Sequence, residues 1–154
     1  IIQKTVELGV DKIHPVEMKR CVVKLDDKKK KSKVQRWQSI SESAAKQSKR
    51  AIVPEVASVM TFAQAVKKAA EMNVRLIPYE LAEGMSATRE ILEKIQPGES
   101  VAVFIGPEGG FDESEISLAA ESGIEPITLG KRILRTETAG MTVLAWLGYL
   151  LEDK

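Results

Sequence analysis

The sequence predicts an α/β domain whose mostly parallel sheet is flanked by helices, and three observations predict it. Short apolar, β-branched runs alternate with amphipathic stretches along the chain, as strand–helix repeats require. Gly and Pro punctuate the junctions between them. The length of 154 residues suits one domain, residues 1–154, able to bury its own core.

The elements follow in order. IIQKTVELG at 1–9 reads as a helix ended by Gly9. KIHPV at 12–16 and RCVVKL at 20–25 read as strands. The run KKKKSK at 28–33 reads as a basic loop. From Lys33 to Arg50, Val34, Trp37, Ser41, Ala44, Ala45 and Ser48 recur at helical spacing. AIVPEV at 51–56 is a weaker strand, because Pro54 removes a ladder donor. A helix over 61–72 carries Phe62, Ala65, Val66 and Ala69. VRLIPY at 74–79, SVAVFI at 100–105 and EPITLG at 125–130 are strands. Asp112 and Glu115 make a capping box for a helix running to Glu121, stopped by Gly123. The last helix, from Thr136 to Leu151, is apolar on nearly every side, so it is buried in the core or packs on a second subunit.

Composition narrows the function. The single Cys21 excludes an internal disulfide and a cysteine metal cage, pointing to a reducing cytoplasm. His14 has no second His to share a metal with, and both His14 and Cys21 read as structural. No metal is expected. No run reaches the roughly 18–20 apolar residues of a membrane span, and no secretory signal is visible. Net charge is +1, yet residues 1–54 hold 14 Lys and Arg against 6 Asp and Glu, while residues 55–154 hold 9 against 16. That imbalance places a polyanionic partner near the first third, or else marks a solvated charged face.

Ligands of open parallel sheets bind beyond the carboxyl ends of the strands. Three loops leave that edge: PYELAEG at 78–84, GPEGGF at 106–111 and GKRILRTETAG at 130–140. In the second, Gly106, Gly109 and Gly110 permit positive φ and close approach of a ligand, and the helix after it offers N–H groups at its first turn. It is neither a Walker loop nor GxGxxG. A tight turn with no ligand is the alternative. The third loop sets Lys131, Arg132 and Arg135 beside Glu137. Its plain reading is a helix start capped by Thr136 or Thr138, with Glu137 favoured by the dipole.

FIGPEGGF followed by LGKRILRTETA resembles the RsmE family of 16S ribosomal RNA (uracil-N3)-methyltransferases, within the SPOUT (trefoil-knot) superfamily. IIQKTVELGVDKIHP and RWQSISESAAKQSKRAIVPEV fit as well, so the resemblance covers nearly the whole chain. It implies a deep C-terminal trefoil knot, S-adenosylmethionine bent within it, and a homodimer formed through the knotted region. It implies a PUA-like N-terminal RNA-binding domain that this chain lacks. By position, Gly106, Glu108, Gly109 and Gly110 would meet the cofactor. Leu129, Gly130, Ile133 and Leu134 would cradle its adenine, with Thr138 and Ala139 beyond them and Pro78 and Glu80 completing the wall.

The chemistry implied is methyl transfer to a uridine N3 of 16S ribosomal RNA in the small ribosomal subunit. That N3 is protonated at neutral pH, so the reaction needs a base or a stabiliser of the uracil anion. Arg135 suits the stabiliser. Glu137 is a candidate base that alternatively orients Arg135 or the cofactor. Arg50, one turn after Gln47, fits the superfamily's first-motif arginine, supplied across the dimer; a helix C-terminal charge is the structural alternative. Another target, such as a ribose 2′-hydroxyl or a transfer RNA base, and a non-catalytic RNA-binding module are the competing functions.

Overall fold

The computed structural model describes every residue except Leu81, Glu83, Asp153 and Lys154. Two parallel two-stranded ladders and one three-stranded parallel sheet carry the fold. β1 (Lys12–Ile13) pairs with β3 (Glu55–Val56), and β2 (Val16–Glu17) pairs with β4 (Met60–Thr61). The two ladders are consecutive: Ala57 N–H donates to Ile13 O and Met60 N–H to Pro15 O. Pro15 has no N–H to give, which accounts for the break in the predicted 12–16 strand.

In the larger sheet the order is β6 (Val101–Val103), β5 (Val74–Pro78), β7 (Glu125–Ile127), with every pairing parallel. Successive side chains of β5 point to opposite faces. Ile77 joins Phe62, Val66, Phe111, Ala119 and Ile124, under α3 (Phe62–Ala69) and α5 (Glu113–Glu121). Leu76 joins Ile127, Leu92, Ile95 and Val143, under α4 (Met85–Glu93) and α6 (Thr136–Leu151). A third cluster seals α1 (Ile2–Glu7) to α2 (Asp27–Gln47) through Val6, Ala44 and Ala45. Ser41 of α2 is fully buried and donates to Pro54 O at 2.7 Å, and Gln38 bridges Pro54 and Val56. These bonds fix α2 against β3.

Two expectations are corrected. RCVVKL at 20–25 forms no strand: it has no ladder partner among the described residues, and Val22 and Val23 are exposed. The lysine run at 28–33 is helical, because Asp26 caps α2 by accepting from Lys29 N–H and so starts the helix at Asp27. α4 was not anticipated at all. The capping box of Asp112 with Glu115 is present, and Gly123 follows α5 at φ +69°. α6 is not uniformly buried, since Val143 is fully enclosed while Tyr149 is 89% exposed.

Candidate active site

The parallel order sends the three loops off one edge of the sheet. The ladders extend to that rim through Phe104 N–H to Leu76 O and Tyr79 N–H to Ile127 O, each 2.9 Å. Leu81 and Glu83 of the 78–84 loop lie outside the described residues.

In the glycine turn, Gly110 N–H donates to Pro107 O at 2.9 Å. Each glycine has its own reason. A Cβ on Gly106 would sit 3.0 Å from the Phe111 ring, and one on Gly109 would sit 3.2 Å from Arg20 O. Gly110 takes φ +72°, with open space where its Cβ would be. The following helix does not offer the N–H shelf expected of it. The Asp112 side chain accepts from the first turn of α5, and Asp112 N–H donates to Glu115. Glu115 is buried and also accepts from Lys19 N–H at 2.9 Å.

The arginine loop differs. Its start is pinned by Thr88 of α4, whose Oγ1 accepts from Thr128 N–H at 2.9 Å. Gly130 takes φ +104°, again with open space at its Cβ position. Among the described residues, the N–H groups of Lys131, Arg132, Ile133 and Leu134 have no hydrogen-bond partner. Leu129 packs on the sheet core, Leu134 is half-buried, and Ile133 is 88% exposed. Arg135 occupies the N-cap of α6 and makes no side-chain cap bond. Neither Thr136 nor Thr138 caps the helix, contrary to the plain sequence reading. Thr136 Oγ1 instead donates to Gly106 O at 2.9 Å, and Thr138 O accepts from Thr142 Oγ1. The uncapped helix start is therefore that of α6, and it is bonded directly to the glycine turn.

Ala139 and Gly140 are buried behind that junction. Gly140 passes 3.8 Å from Thr5 and 3.9 Å from Ile105, measured from its Cβ position. Arg135, Glu137, Glu108 and Glu80 are exposed, and Pro78 is half-buried at the end of β5. Arg50 is engaged elsewhere: its Nη1 donates to Val6 O at 3.0 Å and Val10 O at 2.6 Å, closing the C-terminal end of α1. Thr136, Arg20 and the Thr88–Thr128 pair were missed by sequence reasoning. Only Thr136 carried a signal, as a hydroxyl beside the arginines.

Two apolar hollows stand out, of about 290 Å³ beside Ile77, Tyr79, Ala119 and Pro126, and about 210 Å³ beside Trp37. Neither is walled by the glycine turn or the arginine loop. Among the described residues no cluster of His, Cys, Asp and Glu is built to hold a metal, and no helix is long and apolar enough to cross a membrane. His14 keeps its structural reading. Burial, then Lys12 and Lys68, push its pKa below 6.5 against the pull of Glu55, and its Nδ1 is buried without a partner.

Residues 1–148 match the family described as an RNA methyltransferase domain. The chain is 39% identical to ribosomal RNA small subunit methyltransferase E of Bacillus subtilis over 99% of this chain and 60% of that protein. It superposes at TM-score 0.84, with 38% identity, on ribosomal RNA small subunit methyltransferase E of Neisseria gonorrhoeae bound to S-adenosyl methionine, covering 97% of this chain and 59% of that one. A methyltransferase of Legionella pneumophila with bound cofactor SAM matches at TM-score 0.86 and 36% identity, covering 96% and 59%. The chain thus spans about 60% of the length of the first curated relatives.

Proposed function

This chain belongs to the RNA methyltransferase domain family, among the ribosomal RNA small subunit methyltransferases E, and we propose that it methylates N3 of a uridine in 16S ribosomal RNA, using S-adenosylmethionine. One observation carries the reading: the Thr136–Gly106 hydrogen bond joins the arginine loop to the glycine turn across the sheet edge. The residues fit the cofactor. Gly110 and Gly130 each leave open the volume that a Cβ would fill. The unpartnered N–H groups of residues 131–134 suit the polar edge of an adenine, and the uncapped start of α6 suits a carboxylate. Leu129, Ile133 and Leu134 supply apolar cover, with Thr138 and Ala139 behind them.

When bound, S-adenosylmethionine supplies the electrophilic methyl. The chain must hold the uracil in line and manage the N3 proton. Arg135, exposed at the N-cap of α6, supplies a cation to the developing uracil anion. Glu137, in the first turn of α6 and also exposed, accepts the proton. Glu108, in the glycine turn, and Glu80, just after β5, flank the site. Arg50 acts here by fixing α1, against which α6 packs. In this reading residues 1–154 are the catalytic domain of a cytoplasmic enzyme that works on the small ribosomal subunit as a homodimer, knotted at its C-terminal segment. A PUA-like RNA-binding domain partners that catalytic domain.

Calorimetry tests the cofactor, with saturable S-adenosylmethionine binding expected. Nucleoside mass spectrometry of 16S ribosomal RNA tests the product. N3-methyluridine should vanish on deletion of the gene and return with the intact gene. No cofactor binding by folded protein, or loss of a ribose methyl instead, overturns the proposal.

A further inference from the structure

We infer that the segment Lys19–Leu25 and the N-terminal half of α2 form a track for single-stranded RNA, leading away from the methyl-transfer site, with the hollow beside Trp37 receiving one unstacked base. This rests on the methyltransferase reading and adds a surface to it.

Continuity is the first support. The track begins at the glycine turn, where Arg20 Nη1 donates to Gly109 O at 3.3 Å and the Arg20 backbone occupies the space denied to a Gly109 side chain. The segment then runs to Asp26, the cap of α2, where the helical part of the track starts. An RNA strand whose target base lies at the sheet edge meets this segment next.

Charge is the second. Lys29, Lys33 and Arg36 follow i, i+4, i+7 spacing and share one helix face. All three are exposed, and none enters an ion pair among the described residues, whereas neighbouring Lys30 is paired with Glu17 at 2.9 Å. Asp26 is occupied as the helix cap. Cations left without partners along one stripe match a phosphate backbone.

Shape is the third. The hollow of about 210 Å³ is lined by Trp37, Val23 and Leu25, with Lys33 at its edge. Val23, 65% exposed, lines it on a segment without regular structure, and the adjacent Val22 is 89% exposed. An aromatic wall with a cation beside it is how single strands are gripped, by stacking a base and pairing its phosphate.

The triple variant Lys29→Glu/Lys33→Glu/Arg36→Glu tests the stripe against a single-stranded uridine-rich RNA, read by fluorescence anisotropy at several salt concentrations. Its affinity should fall at least about tenfold, and its salt slope should shrink by about two, at roughly 0.7 per phosphate contact. S-adenosylmethionine affinity should hold. Undiminished RNA affinity with cofactor binding intact overturns the track. RNA bound through the stripe by a chain without cofactor affinity overturns the methyltransferase reading and keeps the track. Trp146→Phe leaves Trp37 as the sole tryptophan. RNA should quench its emission, and unchanged emission at saturating RNA overturns the base-binding hollow.

Discussion

Gly109 and Arg20 approach so closely that a methyl group at residue 109 would press on backbone, 3.2 Å from a carbonyl oxygen that no rotamer change can move. Gly109→Ala should therefore cost about 1–3 kcal/mol by overpacking. Gly110→Ala meets open space and carries only the left-handed strain of φ +72°, about 1–2 kcal/mol. Urea unfolding measures both, and only the first should also loosen Arg20 from the turn. His14 gives a pH dependence. Its folded pKa lies below 6.5, so the unfolded chain binds the proton more readily. Stability is unaffected well above pH 6.5, falls as pH drops through 6.5, and levels off below the folded pKa. His14→Gln should flatten that decline in thermal melts between about pH 6.5 and 5. An unchanged slope would assign the decline to other groups.

Two helices start at the same sheet edge, and their N-termini are finished differently. α5 is closed by Asp112 and Glu115, whereas α6 spends its first hydroxyl on Gly106. Thr136→Val should cost about 1 kcal/mol for the lost hydrogen bond and weaken S-adenosylmethionine binding several-fold. Thr136→Ser should restore both, since it keeps the hydroxyl. Cofactor affinity unchanged in Thr136→Val would mean that the two loops bind nothing jointly. The sequence made much of this edge legible, because strands β5 to β7 and their turns follow from apolar runs ended by Gly or Pro. The Thr136 bond was not legible, since a hydroxyl at a helix start reads as a cap unless the neighbouring loop is known. α2 hid its first turn for a related reason: a lysine run shows no apolar period, and only Asp26 announced the start. RCVVKL misled in the opposite direction, because β-branched residues suit a strand only when a neighbour supplies the ladder.

At the scale of the whole molecule, apolar surface is distributed unevenly. The two faces of the larger sheet are covered, by α3 and α5 on one side and by α4 and α6 on the other. On α6, however, Ala145 and Tyr149 stay exposed at helical spacing, and Ile133 is bare on the loop before it. The apolar character of α6 was readable from its residues, but which stripe would remain outside was not, because that depends on where Thr5 of α1 and Ile105 receive Gly140. These exposed apolar side chains are the surface a second copy would cover, and the proposed homodimer predicts that they are covered. Sedimentation velocity should report a dimer at micromolar concentration. Tyr149→Glu places a charge that the closed interface would have to desolvate, so it should shift the chain to monomer while leaving its thermal melt nearly unchanged. A Tyr149→Glu chain that remains dimeric would place the interface on another face, and a parent chain that sediments as monomer would remove the homodimer from the proposal.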